Sequence, residues 1–168
     1  LRPEGFTFLP GQFLNVRVKV DGKPLVRCYS ISSAPESSGY LEISVKRQGL
    51  VSNLLHSTLR PGSVLSIKGA GGRFVYPDGD DRPLVLVGGG VGITPLMSML
   101  RHAVAADPAR PVTLLFSSRT VAEVPFRDEL ATLRSRHPQI DLCLRASRDV
   151  AAPGIGAGVS PAASLSSQ

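Results

Sequence analysis

Residues 85–100, "VLVGGGVGITPLMSML", restrict the fold of this 168-residue chain more than any other stretch. An apolar run ends in clustered glycines, and an apolar pattern at helical spacing follows at once. A strand that turns directly into a helix commits the chain to a crossover, because the next strand has to return parallel to the first. The returning segments are there. "PVTLLF" reads as a second strand, "PFRDELATLRSRHP" as a second helix with Phe126, Leu130 and Leu133 inward, and "IDLCLRA" as a third strand. The first helix, "PLMSMLRHAVAA", brings Leu96, Met99, Leu100, Ala103 and Val104 to one side. "PLVLVG" is continuously apolar, which predicts a strand buried on both faces. Alternation of this kind specifies a parallel sheet with helices between its strands.

The chain before residue 76 obeys a different pattern. "FLNVRVKV" alternates Val16, Val18 and Val20 against Asn15, Arg17 and Lys19, and "LVRCYSIS" returns after Asp21-Gly22, residues suited to a tight hairpin. "YLEISVKR" alternates Leu41, Ile43 and Val45 against polar residues, and "SVLSIKG" follows a Pro61-Gly62 turn. Short strands broken by Gly and Pro predict an antiparallel sandwich or barrel. One helix interrupts them, "VSNLLHSTL", with Leu54, Leu55 and Leu59 on one side. The polar break "YPDGDDRP" separates the two patterns, which gives domains at 1–76 and 82–148. Residues 149–168, "DVAAPGIGAGVSPAASLSSQ", have no usable period and are expected to form a flexible tail.

The formal net charge is +6, but the basic residues are scattered, aromatics are 5% and Trp is absent. That argues against nucleic acid and for an anionic cofactor or an acidic protein partner. No apolar run is long enough for a membrane span. The start, "LRPEGFTFLPGQF", lacks the basic-then-apolar order of a secretory signal; it opens abruptly in a strand-like pattern, so residues are expected in front of it. Cys28 and Cys143 are far apart and lack metal-ligand spacing, so neither a disulfide framework nor a metal site is expected, and a cytoplasmic setting is the default.

Three stretches carry chemistry. Gly90-x-Gly92 follows a strand and opens a helix, where bare backbone and free N–H groups suit a phosphate; Pro95 fits the first helical turn, and a plain tight turn is the other reading. The second strand ends in "SSRT", whose Arg119 suits a ribose 2′-phosphate or is a solvated loop arginine. "RCYSISSAP" puts Arg27 and Tyr29 on one strand face, where an arginine can neutralise a phosphate and a ring can stack on a flat heterocycle; ordinary side chains of an exposed strand are the other reading. "GLVSNLLH" leads from Gly49 into a helix start with Ser52 in its first turn, either a second anion site or simply a helix cap. His56, His102 and His137 lack catalytic partners, and His102 and His137 are expected on solvent-facing helix sides. Asp78, Asp80 and Asp81 read as turn residues, Met97 and Met99 as core.

In this order the stretches resemble the ferredoxin–NADP reductase superfamily, in particular its bacterial NAD(P)H oxidoreductases that feed iron–sulfur centres. The marks are Arg27-Cys28-Tyr29-Ser30, then Gly49-Leu50-Val51-Ser52-Asn53-Leu54-Leu55, then Gly89-Gly90-Val91-Gly92-Ile93-Thr94-Pro95, with "PGQF" and "PFRDEL" as further segments. The resemblance implies a β plus α/β protein: a six-stranded-type antiparallel barrel holding FAD, then an incomplete parallel-sheet nucleotide domain. Arg27 is then implied to contact the flavin phosphate, Tyr29 to stack on the ring system and Ser30 to lie near the hydride-accepting nitrogen. Gly49, Leu50, Val51 and Ser52 are implied to hold the pyrophosphate with Lys46 beside them, while Gly90, Gly92 and Thr94 bind NADH or NADPH. Ser30 and Thr94 are the implied catalytic residues. The implied reaction is hydride transfer from NAD(P)H to FAD, then electron transfer to an iron–sulfur or haem acceptor; a non-catalytic flavin- or nucleotide-binding regulatory subunit of the same fold, or an inactive fragment, is the alternative. The family's closing Cys-Gly-Pro segment does not occur, Cys143 does not replace it, and the last twenty residues depart from the family pattern.

Overall fold

A computed structural model describes residues 1–148, and the expected tail at 149–168 lies outside the described residues. The chain divides into two compact units, one comprising Leu1–Asp80 with Thr94–Asp107, the other Asp81–Ile93 with the chain from Pro108 onward.

The first unit holds an antiparallel sheet of β1 (Phe13–Val20), β2 (Lys23–Ser30) and β3 (Ser66–Gly71), in the order β2-β1-β3. The expected hairpin forms. Val20 pairs with Lys23 across Asp21 and Gly22, both at positive φ, the geometry that matches strand twist. The period of two is realised, with Leu14 and Val16 buried while Arg17 and Lys19 are exposed. Phe8, Leu14, Val16, Ile31, Val51 and Leu55 form one core cluster, each larger side chain contributing roughly 1.5–3 kcal/mol by burial. The antiparallel sheet is thus as expected in kind, but it has three strands and does not close into a barrel among the described residues.

Two expectations fail here. Residues 40–47 do not form a strand; only the bridge Ile31–Ile43 forms. Leu41, Ile43 and Val45 do pack on the core, but Glu42 N–H donates to the Ser33 hydroxyl, a side chain taking the place of a ladder carbonyl. Helix α1 (Leu50–Thr58) buries Val51, Ser52 and Leu55, whereas Leu59 is its exposed C-cap. Val51 and Leu55, one turn apart, set the inward face.

Helix α2 (Ile93–Ala106) belongs to the first unit from Thr94 onward. Pro95 sits in its first turn, where the missing N–H costs no helical bond. Leu96, Met97, Met99, Leu100 and Ala103 are all buried, as are the polar Ser98 and His102. A helix buried on most sides is held by packing, not by propensity.

The second unit carries β4 (Leu84–Gly89), β5 (Val112–Ser118) and β6 (Ile140–Ala146), parallel in that order, with helix α3 (Arg127–Arg136) before β6. Leu86, Leu114 and Leu142 lie in register and are buried, as is Leu130 of α3. Asp128 and Glu129 open α3, and Arg134 and Arg136 close it, matching the helix dipole. β4 is not buried on both faces: Val85 and Val87 are 56% and 69% exposed. An edge strand with one face inward reads the same as a two-sided one when its outer positions are also valine. No described helix is long and apolar enough to cross a membrane.

Candidate functional site

β2 presents the first group of candidates. Arg27 and Tyr29 pair with Val16 and Leu14 across the ladder and so share the inner face of the sheet. Arg27 is exposed, and its Nη1 donates to the Val26 carbonyl at 2.8 Å. Tyr29 packs against the core cluster that includes Val51 and Leu55. Partial burial pushes its phenol up from the ordinary value, and the Arg27 charge offsets part of that rise, so the phenol stays un-ionised at neutral pH. Ser30 ends the strand, half-buried. Cys28 points to the other face, its thiol donating to Asn15 Oδ1 at 3.2 Å.

The start of α1 supplies the second group. Gly49 is the N-cap. The Ser52 hydroxyl accepts from Gln48 N–H at 3.0 Å and Gly49 N–H at 2.8 Å and donates to the Gly49 carbonyl at 3.0 Å. One donor and two acceptor positions are all a hydroxyl has, so Ser52 braces the turn with its side chain. The N–H groups of Leu50, Val51 and Ser52 belong to the first helical turn, which has no intrahelical acceptors for them. Lys46 is exposed three residues before Gly49. Gly49 has φ −145°, open to any residue, and a Cβ there would meet nothing within 4 Å.

Gly90 and Gly92 lie in a single 3-10 turn that runs from β4 straight into α2. Gly90 needs its glycine for a φ of +55°; Gly92 does not, and a Cβ at either would meet open space. Thr94 follows in the first turn of α2 and is 8% exposed. Arg119, beyond the end of β5, pairs with Glu123 at 3.0 Å in a surface ion pair worth a few tenths of a kcal/mol. The candidates therefore fall into two sets: Arg27, Tyr29, Ser30, Lys46, Gly49, Leu50, Val51, Ser52 and Thr94 in the first unit, and Gly90, Gly92 and Arg119 in the second.

Beyond these candidates lies a polar network between α2 and the exit of β2. Ser98 Oγ donates to the Ser33 carbonyl at 2.7 Å, and Arg101 Nη1 donates to the Ser32 carbonyl at 2.7 Å and to Glu42 Oε1 at 2.8 Å. Ser32 Oγ donates to the same Glu42 oxygen at 2.7 Å. Burial pushes the Glu42 carboxyl up, but the hydrogen bonds from Arg101 and Ser32 and the Arg101 charge outweigh it, leaving it below the ordinary 4.5. A carboxylate with a depressed folded pKa contributes stability above its unfolded value and loses it as pH falls through the folded one. Urea melts between pH 5 and about pH 3 should therefore show a loss of stability that is smaller in Glu42→Gln; equal pH dependence in the two proteins would contradict the assignment. His102, expected in solvent, is instead 8% exposed, with Nδ1 2.8 Å from Glu36 Oε1, Nε2 3.1 Å from Asp78 Oδ1 and its ring edge-on to Tyr76. Asp78 is thus more than a turn residue.

Residues 2–76 match the oxidoreductase FAD-binding domain family, and residues 86–165 the oxidoreductase NAD-binding domain family, a match that runs into the segment whose composition departs from the pattern. The chain is 37% identical over 142 residues to a flavohemoprotein of Oceanobacillus iheyensis, covering 80% of this chain and 35% of the relative. It is 38% identical over 143 residues to a glycine betaine monooxygenase reductase subunit of Chromohalobacter salexigens, covering 84% of this chain and 39% of the relative. The chain thus spans little more than a third of the length of these relatives. Among solved structures it superimposes on the flavohem-like FAD/NAD-binding domain of nitric oxide dioxygenase from Vibrio cholerae with a TM-score of 0.82 at 30% identity, covering 95% of this chain and 69% of that one.

Proposed function

We propose, because this chain belongs to the ferredoxin–NADP reductase superfamily of FAD- and NAD-binding oxidoreductases, that it passes hydride from NAD(P)H to FAD and then electrons to a haem or iron–sulfur acceptor. The relatives' own designations, flavohemoprotein and monooxygenase reductase subunit, support such an acceptor. Bound FAD supplies the conversion between two-electron and one-electron chemistry. The residues supply binding and orientation. Arg27 and Lys46 neutralise phosphate charge, the N–H groups of Leu50, Val51 and Ser52 donate to it, and the Tyr29 ring stacks on the flavin. Ser30 and Thr94 are the proposed catalytic residues, hydroxyls that orient the flavin and the nicotinamide. Gly90 and Gly92 let the second cofactor's phosphates approach the backbone, and Arg119 is proposed to exchange Glu123 for a 2′-phosphate when one is present. The proposed setting is the cytoplasm, in keeping with two free cysteines.

One observation carries the reading. Gly49 and Gly92 have neither a backbone conformation nor a neighbouring atom that demands glycine, yet each stands at the entry to a helix with open space where a side chain would project. Keeping that space clear serves a ligand that reaches the helix N-terminus. The test is anaerobic titration with FAD followed by NADH or NADPH. The expected result is a saturable bound-flavin spectrum that bleaches on adding one of the two donors. Arg27→Ala should weaken FAD binding by about tenfold or more, the loss of a charge-assisted phosphate contact, without lowering the melting temperature. Binding without bleaching would assign the regulatory-subunit reading; no saturable binding would overturn both.

A further inference from the structure

Helix α2 begins directly behind Gly90 and Gly92, and its middle grips the backbone that leaves Ser30. Ile31, Ser32, Ser33 and Ala34 are all buried, and Ser32 and Ser33 have no accessible surface. Their carbonyls take their donors from α2, Ser32 from Arg101 Nη1 and Ser33 from Ser98 Oγ, each at 2.7 Å. Ser98 is itself fully buried, so water has no access to replace its hydroxyl. Glu42 completes the clamp by taking hydrogen bonds from Arg101 and Ser32 on one oxygen while its backbone pairs with Ser32 N–H at 2.8 Å. Thr94, Ser98 and Arg101 stand at intervals of four and three along the helix and so share one face. His102 adds a second fastening through Glu36 and Asp78.

From this geometry we infer that Ser98 and Arg101 are positioning residues for the flavin site: they set the backbone immediately beyond Tyr29 and Ser30, and they tie it to the helix that opens at the dinucleotide loop. The inference rests on the proposed FAD-binding function. Withdrawing either donor leaves a buried carbonyl without its partner, and the strand exit has to shift to recover one. The residues that touch flavin shift with it, because Ser30 is one peptide from the clamped segment.

The experiment compares the full chain with its Arg101→Gln, Arg101→Lys and Ser98→Ala variants, reading the FAD dissociation constant and the absorption and fluorescence of the bound flavin. Amide exchange of residues 29–34 is read without flavin. Arg101→Gln should raise the dissociation constant about tenfold and change the bound-flavin spectrum, the scale of a lost charged hydrogen bond. Ser98→Ala should act in the same direction by about fivefold. Arg101→Lys, which keeps charge and donors, should restore most of the affinity and the spectrum. Exchange at residues 29–34 should quicken in Arg101→Gln and Ser98→Ala. A role confined to stability would lower the melting temperature and leave the spectrum of the bound flavin unchanged. Wild-type affinity and spectrum in Ser98→Ala and Arg101→Gln would overturn the inference while the proposed function stands. If Arg101→Gln does not fold, Ser98→Ala decides by the same readings. A wild-type chain that binds no FAD would overturn both, and it is recognised before any variant is compared.

Discussion

Gly11→Ala is expected to cost about 3–5 kcal/mol of folding stability, a large fraction of the roughly 5–15 kcal/mol that a domain has. Two independent penalties meet at this position. Gly11 adopts φ +100°, outside what a residue with a Cβ accepts without strain. A Cβ built there would also overlap the Phe74 carbonyl oxygen and Met99 Cε. The Phe74 carbonyl, being backbone, does not give way easily. The Phe74 backbone leads into the pairing of Tyr76 N–H with the Pro10 carbonyl at 3.0 Å, so moving it breaks a bond that closes the loop. The end of the Met99 side chain is flexible, but the residue is only 2% exposed, so it can swing aside only within a packed core. Urea denaturation at neutral pH reads the effect directly. A midpoint that falls sharply, or a chain unfolded without denaturant, is the expected outcome. A loss under about 1 kcal/mol would mean that the loop at residues 9–12 relaxes far more than its burial implies.

What the sequence made legible was whatever is decided locally. The Asp21-Gly22 turn, the strand that turns through Gly90 into α2 and the helix start behind Gly49 were readable because each is marked by a few consecutive residues. The failures have a common cause in partners distant along the chain. Alternation at residues 40–47 recorded that Leu41, Ile43 and Val45 turn toward the core, but nothing local says that a serine hydroxyl, not a carbonyl, will meet Glu42 N–H. His102 sits on a polar side of its helix, which looks the same whether water or carboxylates cover it; its partners Glu36 and Asp78 lie 66 and 24 residues away. Val85 and Val87 carry the same ambiguity in reverse, apolar residues left exposed on an edge strand. One signal of the clamp was visible. Ser98 interrupts "PLMSML", and a hydroxyl inside an otherwise apolar buried run needs a partner. That partner's identity, the Ser33 carbonyl 65 residues earlier, required the fold.

Gly49→Asp is expected to leave the fold intact, or slightly more stable, and to abolish most flavin binding. The two effects separate because the position has different demands in the two states. For folding, Gly49 is the N-cap of α1 at an extended φ of −145°, and no atom lies within 4 Å of a Cβ built there. Aspartate is a better N-cap than glycine by a few tenths of a kcal/mol, and its charge faces the positive end of the helix dipole. The Ser52 bracing of the turn uses backbone groups of Gln48 and Gly49 and survives the change. For binding, the same carboxylate occupies the open space through which a pyrophosphate is proposed to reach the N–H groups of Leu50, Val51 and Ser52. It competes for those donors and repels the incoming anion. At a partly screened separation of a few ångströms, two like charges cost on the order of 2–4 kcal/mol, so FAD affinity should fall by about a hundredfold. Gly49→Ala supplies the uncharged comparison, and its loss should be smaller, set by crowding alone. Thermal melts of the flavin-free chains and flavin titrations of all three proteins are the measurements. If Gly49→Asp kept wild-type affinity at an equal melting temperature, the helix start would be a structural turn and the phosphate contacts would have to lie away from α1. If the melting temperature fell with the affinity, the open space would be serving the fold, and glycine at the cap would need a reason that its backbone angles do not supply.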